Sequence, residues 1–287
     1  MPELPEVETI VRQLAPSLPG SAIREVEVLH PGLLREDAKS FSANLRGATI
    51  LEVTRRGKNI VLSLSPPQVL VVNLGMTGRI LLPPRGEDPV PPGHLAVAFH
   101  LAPEGVLWYD DVRRFGHLLR FDEAAWEKES SRLGPEPLDP TLTPAAFHRA
   151  LSASRTPVRS WLLDQTRLAG VGNIYANEAL YRSRVHPARR AASLSSGEAR
   201  ALLTSLREVL KEAIRARGTT LRDYRTANGE SGGFGPRLRI YGREGEPCPR
   251  CNLPIQRVVF ANRSAFLCPR CQPEVTPSAP RSSSSSS

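Results

Sequence analysis

Cysteine is scarce in this chain, four in 287 residues, and methionine is scarcer at two. No apolar run reaches the roughly 18 residues that a membrane helix requires, and the first residues show no secretory pattern. The reading therefore excludes a membrane span and a disulfide-stapled secreted domain, and expects a cytoplasmic protein. Acidic residues are also in deficit. Asp and Glu number 29 against 38 Lys and Arg, a formal charge of +9, and arginine is far commoner than lysine. A balance of that sign suggests a polyanionic partner, nucleic acid before membrane, because no basic amphipathic segment stands out. A solvated basic surface is the plainer explanation of charge alone. The remaining composition, 40% hydrophobic and 23% charged, is that of a globular chain long enough for two domains.

The first fourteen residues, MPELPEVETIVRQL, organise the rest. Val7, Ile10, Val11 and Leu14 recur at helical spacing, Pro5 suits a first turn, and Glu6 and Glu8 favour the positive end of the helix dipole. Pro2 and Glu3 thus stand just outside the N-terminal end of a helix. Met1 precedes a small residue, the usual condition for its removal, after which Pro2 carries a free secondary amine. A nucleophilic amine needs a neighbour that can donate and accept protons, and Glu3 and Glu6 are the carboxylates at hand.

Residues 21–120 read as strands: Ile23–Leu29, Thr49–Arg55, Ile60–Leu64, Val69–Leu74, Arg79–Leu82, Ala96–Leu101 and Val106–Tyr109. Seven strands without intervening helices suggest a two-layer antiparallel sandwich with the first helix packed against it. Three turns carry unusual residues. Arg55-Arg56-Gly57-Lys58-Asn59 sets a lysine at a hairpin tip. Asn73-Leu74-Gly75-Met76-Thr77-Gly78 places a methionine at a turn, where core packing is not its role. Asp110-Asp111-Val112-Arg113-Arg114-Phe115-Gly116 offers an arginine for an orphaned base and a phenylalanine to wedge between stacked pairs; a salt-bridged surface turn is the alternative. His94, in Pro-Gly-His, is a candidate phosphate contact or a solvated histidine.

A charged, proline-containing stretch from 122 to 143 reads as the connection to a helical half. Helices are expected over Pro144–Leu151, Val158–Thr166 and Asn173–Arg182. A long one follows, capped by Ser195 and Glu198, with Leu202, Leu203, Leu206, Val209, Leu210 and Ile214 in phase until Gly218. In Gly170-Val171-Gly172-Asn173 the asparagine is the expected N-cap, and the helix end is a ready phosphate site. Residues 219–235 are glycine-rich and need not be ordered without a ligand. Cys248-Pro-Arg-Cys251 and Cys268-Pro-Arg-Cys271 form C-x2-C-x16-C-x2-C, which suits one tetrahedral zinc with a hairpin between the pairs. Its strands are Val258–Phe260 and Ala265–Leu267, and its tip, residues 261–264, carries Arg263. From Pro273 onward the chain is low-complexity and expected to be disordered.

These motifs, in this order from residue 2 to 272, resemble the formamidopyrimidine-DNA glycosylases, bifunctional enzymes that remove oxidised purines from DNA. The opening MPELPEVET, the RRGK turn, the Arg-Arg-Phe-Gly loop, the Gly-Val-Gly-Asn element and the zinc finger carry the likeness. It implies an α+β fold: an N-terminal antiparallel β-sandwich with an N-terminal helix (1–130), a linker (131–143), a helix–two-turn–helix domain (144–235) whose lesion-recognition loop is 219–235, and a zinc-finger β-hairpin (236–272), with a tail at 273–287. It further implies Pro2 as nucleophile at C1′, Glu3 as acid and base, and Lys58 and Arg263 on the phosphates, with Glu6 supporting the Pro2 pocket. Met76, Arg113 and Phe115 would fill the gap left by a flipped nucleotide, Arg114 beside them. Asn173, Arg155, Arg159 and His94 would contact phosphates. One structural zinc, a partner of double-stranded damaged DNA, a monomeric state and a nucleoid-associated location complete the expectation. Asn73 stands where the family usually has histidine, and Val112 where it has proline. An endonuclease VIII-like sibling acting on oxidised pyrimidines and a non-catalytic zinc-ribbon DNA-binding protein are the alternatives.

Overall fold

The computed structural model describes residues 2–84, 89–260 and 262–274. Met1 and nearly all of the serine-rich tail, with the expectations placed on them, lie outside the described residues. The chain opens with α1 (Leu4–Leu14), whose Val7, Ile10 and Leu14 face a core shared with the strands. Next come β1 (Ala22–Val28), α2 (Ala38–Leu45), β2 (Thr49–Arg56), β3 (Asn59–Ser65), β4 (Gln68–Asn73), β5 (Gly78–Leu81), β6 (Leu95–Ala102), β7 (Val106–Asp111) and β8 (His117–Phe121). Pairing is antiparallel in the order β5-β7-β6-β1-β2-β3-β4-β8. Because β1 and β2 share a single register pair, Ala22 with Thr49, the sheet divides there into two four-stranded layers. Ile23, Val26, Val97 and Phe99 of one layer and Val53, Ile60 and Leu62 of the other meet in one core, as the period-2 pattern of a sandwich requires.

Three elements depart from the sequence reading. Strand β8 adds an eighth strand, pairing Leu118 with Val72 of β4. Helix α2 was legible locally: Asp37 accepts from the N–H groups of Lys39 and Ser40, and Phe41 and Leu45 form an apolar i, i+4 pair in the core. The third, α3 (Glu123–Ser130), falls in the stretch read as a connection. It has no buried residue of its own, so periodicity gave no signal, yet Trp126 packs on Phe121 over the outer face of β3, β4 and β8.

The helical half contains α4 (Pro144–Ser152), α5 (Val158–Leu163), α6 (Asn173–Arg182) and α7 (Ser196–Arg215), the last with the expected Ser195–Glu198 capping box. Helix α5 stops three residues short of expectation because the Asp164 side chain accepts the Thr166 N–H and closes a turn. Phe147, Trp161, Tyr175, Leu202, Leu206 and Leu210 form this second core. Leu4 belongs to it rather than to the sandwich, and its N–H donates to the Gly170 carbonyl at 3.0 Å. Burying such a leucine stabilises by about 1.5–3 kcal/mol, so the start of α1 is anchored in the other half of the molecule. Strands β9 (Gln256–Phe260) and β10 (Arg263–Leu267) make the final hairpin over a small core of Tyr181, Ile240, Ile255 and Phe266. Arg263 pairs with Phe260, so it is the first residue of β10 rather than part of the expected tip. Among the described residues no helix is long and apolar enough to cross a membrane.

Candidate active site

Pro2 and Glu3 are buried where α1 meets α6. The Glu3 carboxylate accepts the N–H of Ile174 at 2.8 Å and that of Tyr175 at 3.4 Å, so it caps α6 and lies at the positive end of its dipole. This corrects the expected cap. Asn173 is the first helical residue, and Gly172 holds the cap position because a side chain there would strike the Glu3 carboxylate. Burial pushes the Glu3 carboxyl above its usual range, with the Lys58 charge and the two helix N–H groups opposing.

Glu6, one turn along, is just as enclosed. It accepts the Glu3 N–H at 2.8 Å, the Tyr175 hydroxyl at 2.6 Å and the Thr219 N–H at 2.7 Å. Burial, and then the Glu3 charge, push its carboxyl up to about 7. Two buried carboxylates, each with a raised affinity for a proton, thus flank the chain start.

Lys58 sits in the β2–β3 turn and is half-buried. Burial pushes its ammonium below the usual lysine range, Glu3 opposes that, and Arg263 adds to it. Lys58 therefore feels charges from opposite ends of the chain, Glu3 on one side and Arg263 on the other. The turn is held from the linker: Glu136 accepts the Gly57 N–H at 2.7 Å, Arg55 at 2.7 Å and Arg56 at 3.2 Å. Hydrogen bonds to a charged group at a partly buried site contribute about 1.5–3 kcal/mol. Glu136→Ala should thus release the turn and speed hydrogen exchange at the Gly57 N–H on the order of tenfold. An exchange rate equal to that of the wild type would show that the turn is placed without it.

The zinc-finger hairpin is fixed at both ends. At its tip the Ser264 carbonyl accepts Arg159 at 2.9 Å and Asn173 at 3.0 Å, while Arg159 also donates to Asn173 at 2.6 Å. At its base the four cysteine sulfurs lie within 4.8 Å of one another, with Cys251 and Cys268 3.3 Å apart and Cys248 and Cys271 3.9 Å apart. Zinc–sulfur bonds of about 2.3 Å in a tetrahedron space the sulfurs by about 3.8 Å. Cys248, Cys251, Cys268 and Cys271 thus fit a single zinc. Four thiolates leave it no open position, so its role is to fold the hairpin.

Three family models match the chain in this order: formamidopyrimidine-DNA glycosylase N-terminal domain over residues 1–118, formamidopyrimidine-DNA glycosylase H2TH domain over 133–225, and the zinc finger found in FPG and IleRS over 245–273. The formamidopyrimidine-DNA glycosylase of Thermomicrobium roseum is 46% identical, covering 95% of this chain and 99% of its own. That is decisive. The chain belongs to the formamidopyrimidine-DNA glycosylase family. The crystal structure of the MutM (FPG) protein from Thermus thermophilus superposes with a TM-score of 0.85 at 43% identity, covering 96% of this chain and all of that one. A Lactococcus lactis FPG mutant, solved with Fapy-dG containing DNA, gives 0.88 at 31% identity over 95% of this chain and all of that one.

As a member of this enzyme family, the chain presents its other motif residues on two turns and a helix. Met76 is exposed on the β4–β5 turn and Phe115 on the β7–β8 loop. The Arg113 guanidinium bridges them, 3.4 Å from the Met76 sulfur and 4.5 Å over the Phe115 ring. Arg114, in the left-handed region at φ 57°, donates instead to the His94 carbonyl at 2.8 Å, and the His94 side chain is exposed. Arg155 is exposed near the start of α5, whereas Arg159 is 1% exposed and already bonded within the protein. Burial and the Arg263 charge push the Arg159 guanidinium below the usual arginine range.

The segment 219–235 touches both halves of the molecule. Thr219 donates its N–H to Glu6, Phe234 is buried in the helical core, and Ala227 donates its N–H to Gln13 at 2.8 Å while its carbonyl accepts the Leu82 N–H at 3.0 Å. Tyr224, Thr226 and Ala227 are buried within it. Tyr175, Thr219 and Glu136 are site residues that the sequence reading missed. Tyr175 alone carried a signal, as the tyrosine two places after Asn173.

Proposed function

We propose that this glycosylase excises oxidised purines, 8-oxoguanine and formamidopyrimidines, from duplex DNA and then cleaves the strand through a Schiff base on Pro2. The observation that carries this reading is the buried Glu3 carboxylate, held on α6 beside Pro2 and facing Lys58. Once Met1 is removed, the Pro2 nitrogen attacks C1′ of an everted nucleotide. Glu3, whose affinity for a proton is raised, protonates the ring oxygen as the sugar opens, while the proton lost by the Pro2 nitrogen on attack leaves with the base as the bond from C1′ to the base breaks. The nitrogen lone pair then forms an iminium with C1′. This acidifies the C2′ proton, and its loss expels the 3′ phosphate; a second elimination expels the 5′ phosphate. Lys58 and Arg263 orient those phosphates, Asn173 and Arg155 extend the clamp, and Arg159 steadies it from within. Glu6 supports the pocket rather than the chemistry. The zinc takes no part in a step.

We take residues 1–130 as the catalytic unit, 144–235 as the helical DNA-binding unit and 236–272 as the finger. The protein is read as a monomer of the cytoplasm, associated with DNA. Arg113 offers donors that match the O2 and N3 acceptors of an orphaned cytosine, and one good bidentate contact discriminates by about 1–3 kcal/mol. The test is a single-turnover comparison of duplexes carrying 8-oxoguanine opposite cytosine, 8-oxoguanine opposite adenine, and thymine glycol. The first should react fastest, roughly tenfold or more ahead of the second. Faster excision of thymine glycol than of 8-oxoguanine opposite cytosine would make this an oxidised-pyrimidine enzyme.

A further inference from the structure

Asp111 ends β7 and is fully buried. Its two oxygens accept four hydrogen bonds. Oδ1 takes the Thr77 hydroxyl at 2.6 Å and the Arg113 N–H at 3.2 Å. Oδ2 takes the Gly116 N–H at 2.9 Å and the Tyr109 hydroxyl at 3.3 Å. Thr77 directly follows Met76, while Arg113 and Gly116 bracket the loop that carries Phe115. One carboxylate therefore ties together the two loops that bear Met76, Arg113 and Phe115. The Thr77 oxygen reinforces the tie by accepting the Arg113 N–H at 3.0 Å.

The opposite side of the same block is closed by Asn73. Its side-chain oxygen accepts the Gly75 N–H at 2.9 Å and its amide donates to Asn59 at 2.8 Å. Asn73 is thus used inside the protein to shape the methionine turn. The two turns touch backbone to backbone. A Cβ on Gly75 would strike the main chain of Phe115 and Gly116, and one on Gly116 would strike the Tyr109 hydroxyl and the Asn73 carbonyl. Only glycine fits either place.

We propose that Asp111 is the positioning residue of the wedge, holding the Met76 turn and the Arg113–Phe115 loop as one preassembled block. The proposal rests on the glycosylase reading above. A block already assembled fills the space of an everted nucleotide without first ordering two loops, which is where a flexible surface would lose binding free energy. Asp111 itself touches no DNA in this account. Its removal acts through the Thr77 hydroxyl and the Gly116 N–H, which would be left buried and unpaired, and through Arg113, whose N–H would keep only the Thr77 oxygen.

The experiment compares full-length wild type with Asp111→Asn on two duplexes, one with 8-oxoguanine opposite cytosine and one with a preformed abasic site. An intact base must be unstacked in the first and not in the second. The asparagine presents an N–H2 to two of the four donors, so excision should fall at least about tenfold further than abasic cleavage. A 2-aminopurine placed beside the lesion should lose its rapid fluorescence rise in step with excision. Equal losses on both duplexes, or no loss on either, would overturn the proposal. Should Asp111→Asn not fold, Thr77→Val removes one donor and decides by the same ratio, with a smaller expected shift. A wild-type chain inert on both duplexes would overturn the glycosylase reading, and this inference with it.

Discussion

A version of the protein bearing any residue ahead of Pro2 is expected to form no borohydride-trapped complex with lesion DNA and to excise no base. The reason is chemical: Pro2 can condense with C1′ and pass on to an iminium only as a free terminal amine, because an amide nitrogen has no available lone pair. In the processed protein the same reduction should cross-link DNA to residue 2, and peptide mapping reads that directly. A cross-link found on Lys58 would reverse the roles assigned to these two amines. Glu3→Gln supplies the companion result, since it preserves shape and loses the titrating proton. General acid–base assistance contributes about 10²–10⁴-fold, so excision should fall on that order. Trapping at a preformed abasic site should fall less, because no base has to leave. The glutamine can still accept from Ile174, so the docking of α1 on α6 should survive and the melting temperature should change little.

The second large effect is expected at the finger. Cys268→Ser should lose the metal, because three thiolates hold zinc far less well than four, and zinc binding in such sites is worth about 10–16 kcal/mol of folding free energy. The loss travels to the DNA face through named contacts. The hairpin base is tied to the helical half by the Gln272 amide on the Val185 carbonyl at 2.9 Å and by the Tyr181 hydroxyl 3.3 Å from the Cys248 sulfur. Its tip rests on Arg159 and Asn173 through the Ser264 carbonyl. Without the metal the base comes loose and Arg263 is no longer held beside Lys58, so affinity for an abasic duplex should drop by about a hundredfold or more. Arg263→Ala separates the two causes. It should keep one zinc per chain and reduce the salt dependence of binding by about one phosphate. A full zinc complement in Cys268→Ser would refute the ligand assignment.

How much of this was legible beforehand differs from element to element. The stripe of α1 and the long α7 with its capping box could be read from the sequence, because helical periodicity and caps are local properties of a few consecutive residues. The cysteine spacing was equally direct, since four thiolates in two close pairs suit one tetrahedral metal. Helix α2 was passed over although its cap and apolar pair were present. Helix α3 offered only its Asp122 cap and no apolar stripe: its packing on Phe121 exists only once the strands pair.

The sequence by itself determined which chemical groups were available: a proline and two carboxylates at the start of α1, a lysine at a hairpin tip, and an arginine between two cysteine pairs. Tertiary structure alone decided what each group faces. Glu3 caps α6, 171 residues away, which displaced Asn173 from that role. Glu136 reaches back about eighty residues to shape the Lys58 turn, and Asp111 gathers donors from two loops. Arg159, expected on the DNA surface, is turned inward to hold the hairpin. Such pairings follow from how strands, helices and hairpin dock, and no local pattern encodes them, because the free energy that fixes each one comes from burial and hydrogen bonds between segments distant in the chain.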